Sequence, residues 1–175
     1  MRGLRVWQNK GHVSLRVVLG WCLDREQVDH LLVVNTPGVG ERGRVSFDSA
    51  VERATKALLG NRMVDHFRAT AWPGTQLMRH TAKVFVARFD AELMLGMSKQ
   101  EDDLFQWTRR SPKRLPEDIC LFRRGSDHPV LVSVTHENDA YIVAERDAGP
   151  PGFERTESSI KDLMLAWDGP YFCLR

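Results

Sequence analysis

The chain has 175 residues, of which 42% are hydrophobic and 27% charged, with a formal net charge of +2. These values fit one globular domain able to bury roughly two-thirds of its unfolded surface, and they exclude global disorder. No apolar run approaches the roughly 20 residues that cross a bilayer, and the basic start MRGLRVWQNKGHVSLRVVLGW lacks the continuous apolar core of a signal peptide. The charge is uneven. Residues 1–90 hold 14 basic and 8 acidic side chains (+6), and residues 91–175 hold 11 and 15 (−4). The three cysteines, Cys22, Cys120 and Cys173, sit in apolar segments at spacings unlike any zinc pattern. They read as small buried hydrophobes in a reducing, cytoplasmic setting.

In chain order, Val13, Leu15, Val17 and Leu19 alternate with polar residues, which predicts a strand over 13–23. A second strand follows over 30–34. The connection Asn35 to Gly43 then contains a literal G-x-G-x-x-G (Gly38, Gly40, Gly43). A pyrophosphate cradle needs the last glycine in the opening turn of a helix. Here an extended stretch intervenes and the helix begins near Ser49, so the segment reads as a hairpin loop that holds no nucleotide. Ser49 and Glu52 have capping-box spacing, Ala50, Ala54, Ala57 and Leu58 share a face, and Gly60 stops the helix. Two strands follow, over 64–72 and 82–89, separated by Pro73-Gly74. The first is expected to turn Phe67 and Ala69 inward and His66 and Arg68 outward. His80 stands just ahead of the second as an ordinary solvated histidine. Asp90 is placed to cap a short helix carrying Leu93, Met94 and Met97, and a further turn holds Leu104, Phe105 and Trp107. The run Thr108 to Arg114, with Arg109, Arg110, Lys113 and Arg114, is a basic loop without the exposed aromatics of a single-strand binder.

Three short strands then form a meander over 119–123, 130–134 and 140–144, joined by turn-rich segments. After the stiff Gly149-Pro150-Pro151-Gly152 segment, a last helix is expected over 159–167 and a short strand over 171–174. The order is ββ-α-ββ-α-βββ-α: a single α+β domain over 1–175, with a largely antiparallel twisted sheet and three helices packed on it.

The meander carries the most concentrated polar chemistry: Glu117, Asp118, Asp127, His128, His136, Glu137 and Asp139. On a strand His136 shares a face with Asn138, and Glu137 with Asp139, so local spacing dictates no His–carboxylate pair. Neither G-x-S-x-G nor a metal-ligand spacing is present, and no cofactor is implied. Three functional classes are open: a protein-binding module, a small enzyme using His136 and nearby carboxylates, and a nucleic-acid-binding regulator resting on the basic N-terminal half. The run from Leu115 to Asp118, its aromatic–basic strand, and Ser133 to Tyr141 resemble small bacterial immunity-type proteins of polymorphic toxin systems. That resemblance spans about 30 residues. It implies a non-catalytic cytoplasmic α+β protein that covers the active site of a cognate toxin, a basic toxin domain being the partner that suits its acidic turns. On this reading Glu117, Asp118, Glu137 and Asp139 lie in or beside the contact surface, with Trp107 or Tyr141 as the aromatic anchor.

Overall fold

A computed structural model describes residues 5–9, 14–39, 45–108, 110–126, 128–144, 149–150 and 153–156. The elements, in order, are β1 (Arg5–Asn9), α1 (Leu15–Glu26), β2 (Val28–Asn35), β3 (Gly38–Val39), β4 (Val45–Ser46), α2 (Ser49–Leu59), β5 (Met63–Ala69), β6 (Ala71–Trp72) and β7 (Thr75–Gln76). Then follow β8 (Ala82–Arg88), α3 (Ala91–Gln100), β9 (Glu117–Arg123), β10 (Pro129–Val134), β11 (Asp139–Ala144) and β12 (Phe153–Thr156). Eight strands form one antiparallel sheet in the order β12-β1-β11-β10-β9-β2-β8-β5, and β3–β4 and β6–β7 are separate two-stranded hairpins. The chain is thus an α+β protein, and its meander continues into β2 as the periodicities predict.

The central strands β2, β8, β9 and β10 are buried on both faces, and strand alternation divides the core in two. Leu31, Val33, Phe85, Ala87, Ile119 and Leu121 point to one side, where α1 and α3 cover them through Leu15, Val18, Leu19, Leu93 and Met97. Leu32, Val34, Val84, Val86, Cys120 and Val132 point to the other, where Trp72 of the β6–β7 hairpin packs. Gly74 turns that hairpin with φ +80°, and a Cβ built there would lie 2.8 Å from Val132 Cγ1 and Val134 Cγ2. The hairpin reaches the sheet because this residue has no side chain.

Several expectations are corrected. Residues 13–23 are mostly helix, not strand: Leu15, Val18, Leu19 and Cys22 are buried at the three- and four-residue spacing of a helix face. Ser14 caps α1 by accepting from Val17 N, and Asp102 fixes that end by accepting from Ser14 Oγ at 2.8 Å and Arg16 N at 2.9 Å. The exposed Val17 produced the misleading alternation. The cap of α2 is Asp48, which accepts from Ala50 N at 2.8 Å; Ser49 is the first helical residue, and Glu52 pairs with Lys56 and Lys83. A carboxylate one residue earlier is the stronger acceptor at the positive end of the helix. Asp90 caps α3 as expected, accepting from Leu93 N at 2.8 Å. Strands β1 and β12, which flank the meander's far edge, were not anticipated. The expected helix 159–167 and strand 171–174 lie outside the described residues, as does Cys173.

Candidate functional site

The antiparallel order brings the C-terminal ends of β2, β5 and β10 and the N-terminal ends of β8, β9 and β11 to one end of the sheet. Both polar connections of interest, 115–118 and 135–139, meet there. Asp118 has φ +48°, and the β2–β9 register shifts between Leu32 and Val34, so the carboxylate turns away from the regular ladder into the interior. It accepts from Trp72 Nε1 at 2.8 Å, Thr135 N at 2.8 Å and Thr75 Oγ1 at 3.3 Å. Its own N–H donates to Thr135 Oγ1 at 3.2 Å. Burial pushes the Asp118 carboxyl up, against the opposing pull of the Thr135 N–H and the Trp72 indole. One buried side chain therefore ties β9, the β6–β7 hairpin and the turn after β10 together.

Above this network lies a cleft of about 390 Å³, lined by Thr36, His80, Arg110, Glu117, Thr135 and His136 among others. Glu117 is buried and accepts a hydrogen bond from Thr36 Oγ1. His136 stands on the 3₁₀ turn Thr135–Glu137, half exposed, with Nε2 3.7 Å from Glu137 Oε1. Asn138 closes this turn with φ +58°, a conformation asparagine tolerates well. The structure thus gathers a carboxylate, two imidazoles and a guanidinium, groups able to orient a polar ligand and move a proton. Local spacing does not join Glu117 to His136; they meet because β9 and β10 pair. His80 and Arg110, read from sequence as solvated residues, are also brought to this cleft.

The six expected contact residues divide sharply. Glu137 is exposed, and Asp139 and Tyr141 are half-buried at the surface end of β11. The Tyr141 hydroxyl donates to Asp139 Oδ2 at 3.1 Å; burial first and Asp139 second push its pKa up to about 12. Glu117 faces the cleft from a buried position. Asp118 and Trp107 are both 0% exposed, so neither side chain stands at the surface. Trp107 belongs to the helix-side core and donates through Nε1 to Glu101 O at 2.9 Å. Asp127 lies outside the described residues, and His128 is exposed at the opposite end of β10.

His80 also borders a second cleft, of about 670 Å³, on the other side of its loop. Its lining includes the apolar Val45, Phe47 and Met78 and the basic Arg68 and Arg79. Met78 is 95% exposed and Val45 40% exposed. The Arg68 guanidinium lies 5.3 Å and the Lys83 ammonium 4.9 Å from the Phe47 ring centre, which fixes the ring in place. Nothing in the sequence marks Met78 as different from any other loop residue.

Among the described residues, no group of three or more His, Cys, Asp and Glu side chains is placed to share a metal ion. No described helix is long and apolar enough to cross a membrane. No family model, curated protein or solved structure matches the chain.

Proposed function

We propose that this chain is a protein-binding module whose contact surface is the cleft end of the sheet. One observation carries the reading: the exposed Val45 and Met78 and the half-buried Phe47 line one cleft together with Arg68, Arg79 and His80. An apolar centre inside a charged rim is the anatomy of a protein interface, and a flexible, protruding methionine is well suited to fill a partner's pocket. Glu137 follows His136 on the 3₁₀ turn that borders the adjoining cleft, and Asp139 opens β11, so acidic as well as basic groups stand at this end of the sheet. Charge at a rim chiefly steers encounter, whereas the apolar centre slows release. An immunity-type inhibitor that covers a toxin's active site is one function such a surface serves, and the resemblance of the Leu115 to Tyr141 region supports it. A cytoplasmic location is part of this proposal; the free, buried Cys22 and Cys120 accord with it.

The test is capture from the native cell with the wild-type chain and with Met78→Ala as bait, followed by binding measurements on the isolated partner. Met78 makes little contact with its own fold, so Met78→Ala should leave the melting temperature unchanged. It should weaken partner binding by about tenfold, the effect of removing a central anchor. Glu137→Lys with Asp139→Lys should change the association rate and its salt dependence more than the dissociation rate. A partner bound equally well by all of these variants would place the interface elsewhere.

A second reading, a small enzyme, is favoured by the convergence of Glu117, His80, His136 and Arg110 on the 390 Å³ cleft. Turnover of a substrate that is lost in Glu117→Gln and His136→Ala would establish it in place of the first.

A further inference from the structure

Of the basic loop, Arg110 also borders the 390 Å³ cleft, whereas Ser111, Pro112 and Arg114, like Gly38, lie outside the surface just described. Although far apart in sequence, they line one open cleft of about 890 Å³ together with β4 and the first turn of α2. Arg110 and Arg114 stand on one wall, and Ser46, Ser49 and Ser111 carry hydroxyls around it. Ser111 is only 8% exposed, and its Oγ has no hydrogen-bond partner among the described residues. A buried hydroxyl in that condition is costly unless something entering the cleft meets it.

The charge balance points the same way. Arg114 Nη1 donates to Asp48 Oδ2 at 2.7 Å, using one of the five N–H groups of its guanidinium. Asp48 Oδ1 caps α2 through the Ala50 and Val51 N–H groups, and those bonds hold its carboxyl below the usual range. Arg110 is exposed and forms no ion pair among the described residues. Two guanidiniums against one carboxylate leave the cleft with an excess positive charge, beside the positive end of α2. Two guanidiniums and several hydroxyls offer more donors than a planar carboxylate with two oxygens can accept, and suit a group with three or four acceptor oxygens. The volume exceeds that of one phosphate, which leaves room for the organic group it is attached to.

We propose that this cleft binds a phosphate group, free or carried by a small molecule, held by Arg110, Arg114 and the Ser111 hydroxyl. It differs from a dinucleotide cradle, in which backbone N–H groups hold the pyrophosphate: the donors named here are side chains.

The test is calorimetric titration of the full chain with inorganic phosphate, pyrophosphate and ATP, with phosphorus NMR as a second readout. Saturable binding of at least one probe is expected. Inorganic phosphate binding as tightly as ATP would assign the site to the free ion, and tighter ATP binding would assign it to a phosphorylated small molecule. Arg110→Gln, at an exposed position, should weaken binding about tenfold, the usual effect of losing a hydrogen bond to a charged group. Ser111→Ala should weaken it as well, while leaving the unliganded chain no less stable, because the hydroxyl it removes has no partner to lose. The proposal is overturned if no probe saturates, or if wild type, Arg110→Gln and Ser111→Ala bind alike.

Discussion

Replacing Asp118 tests whether this carboxylate is the interior tie that the geometry describes or a surface charge. In Asp118→Ala the Trp72 indole N–H and the Thr135 backbone N–H, each 2.8 Å from the carboxylate, lose their acceptor inside the protein. Each buried donor left unpaired costs about 1–3 kcal/mol, while the Thr75 hydroxyl, at 3.3 Å, can rotate toward another acceptor. An alanine held at φ +48° adds about 1 kcal/mol. Relief of the buried charge offsets part of this, so a net loss of about 3–4 kcal/mol is expected. For a chain of this size that lowers the melting temperature by about 10 °C. Asp118→Asn keeps one acceptor oxygen and tolerates the left-handed backbone, but it sets an NH2 against one of the donors, and should cost about half as much. The pH dependence supplies an independent check. Because burial raises the folded-state pKa above the ordinary 3.8, the Asp118 contribution is fully present below that value and lost as pH rises through the folded pKa. The deficit of Asp118→Asn relative to wild type should therefore be largest in acid and shrink from about pH 4 upward. Urea unfolding at several pH values measures both effects. An Asp118→Ala chain within about 1 kcal/mol of wild type would refute the reasoning and return Asp118 to the surface.

Gly74→Ala should destabilise by about 2–4 kcal/mol, because it combines a left-handed backbone with a Cβ 2.8 Å from two valine methyls. Gly125→Ala, at φ +66° with open space around it, should cost only about 1 kcal/mol, so the difference between their urea midpoints isolates the packing contribution. Tyr141 should ionise near its raised value of about 12 in an ultraviolet titration. Asp139→Asn should lower that value only part of the way toward 10.0, because burial is the larger cause.

The parts of the fold legible in the sequence are those set by local signals. Asp90 and Gly60 mark helix ends through backbone groups within four residues of them, and the meander's turns announce themselves through Gly125 and Asn138. Helix α1 shows where that approach fails. It is apolar on nearly every side, with Val17, Trp21 and Leu23 outside its buried stripe, so period 2 and period 3.6 both find matches in it. What decides the outcome is Ser14 and its bonds to Asp102, a residue 88 positions away. Strands β1 and β12 are similarly silent: short and mixed in polarity, they are strands because β11 offers an open edge and β1 then offers another.

The same distinction governs the site. Glu117 and Asp118 adjoin a proline in a polar-looking segment, and sequence assigns such carboxylates to a turn on the surface. Burial of a carboxylate is a long-range decision, requiring donors that arrive from elsewhere: Thr36 for Glu117, and Trp72 and Thr135 for Asp118. None of these donors lies within 15 residues of the group it satisfies. His136 and Glu137, by contrast, stay where the sequence puts them, because a tip closed by an asparagine in the left-handed region needs only its own residues. The acidic meander therefore splits into an inner pair that builds the end of the sheet and an outer pair, Glu137 and Asp139, on its surface turn. Under the proposed protein-binding reading, variants of the outer pair and of Met78 test the interface directly. Variants of the inner pair lower the stability of the sheet end itself, and a stability measurement on each variant separates lost folding from lost binding.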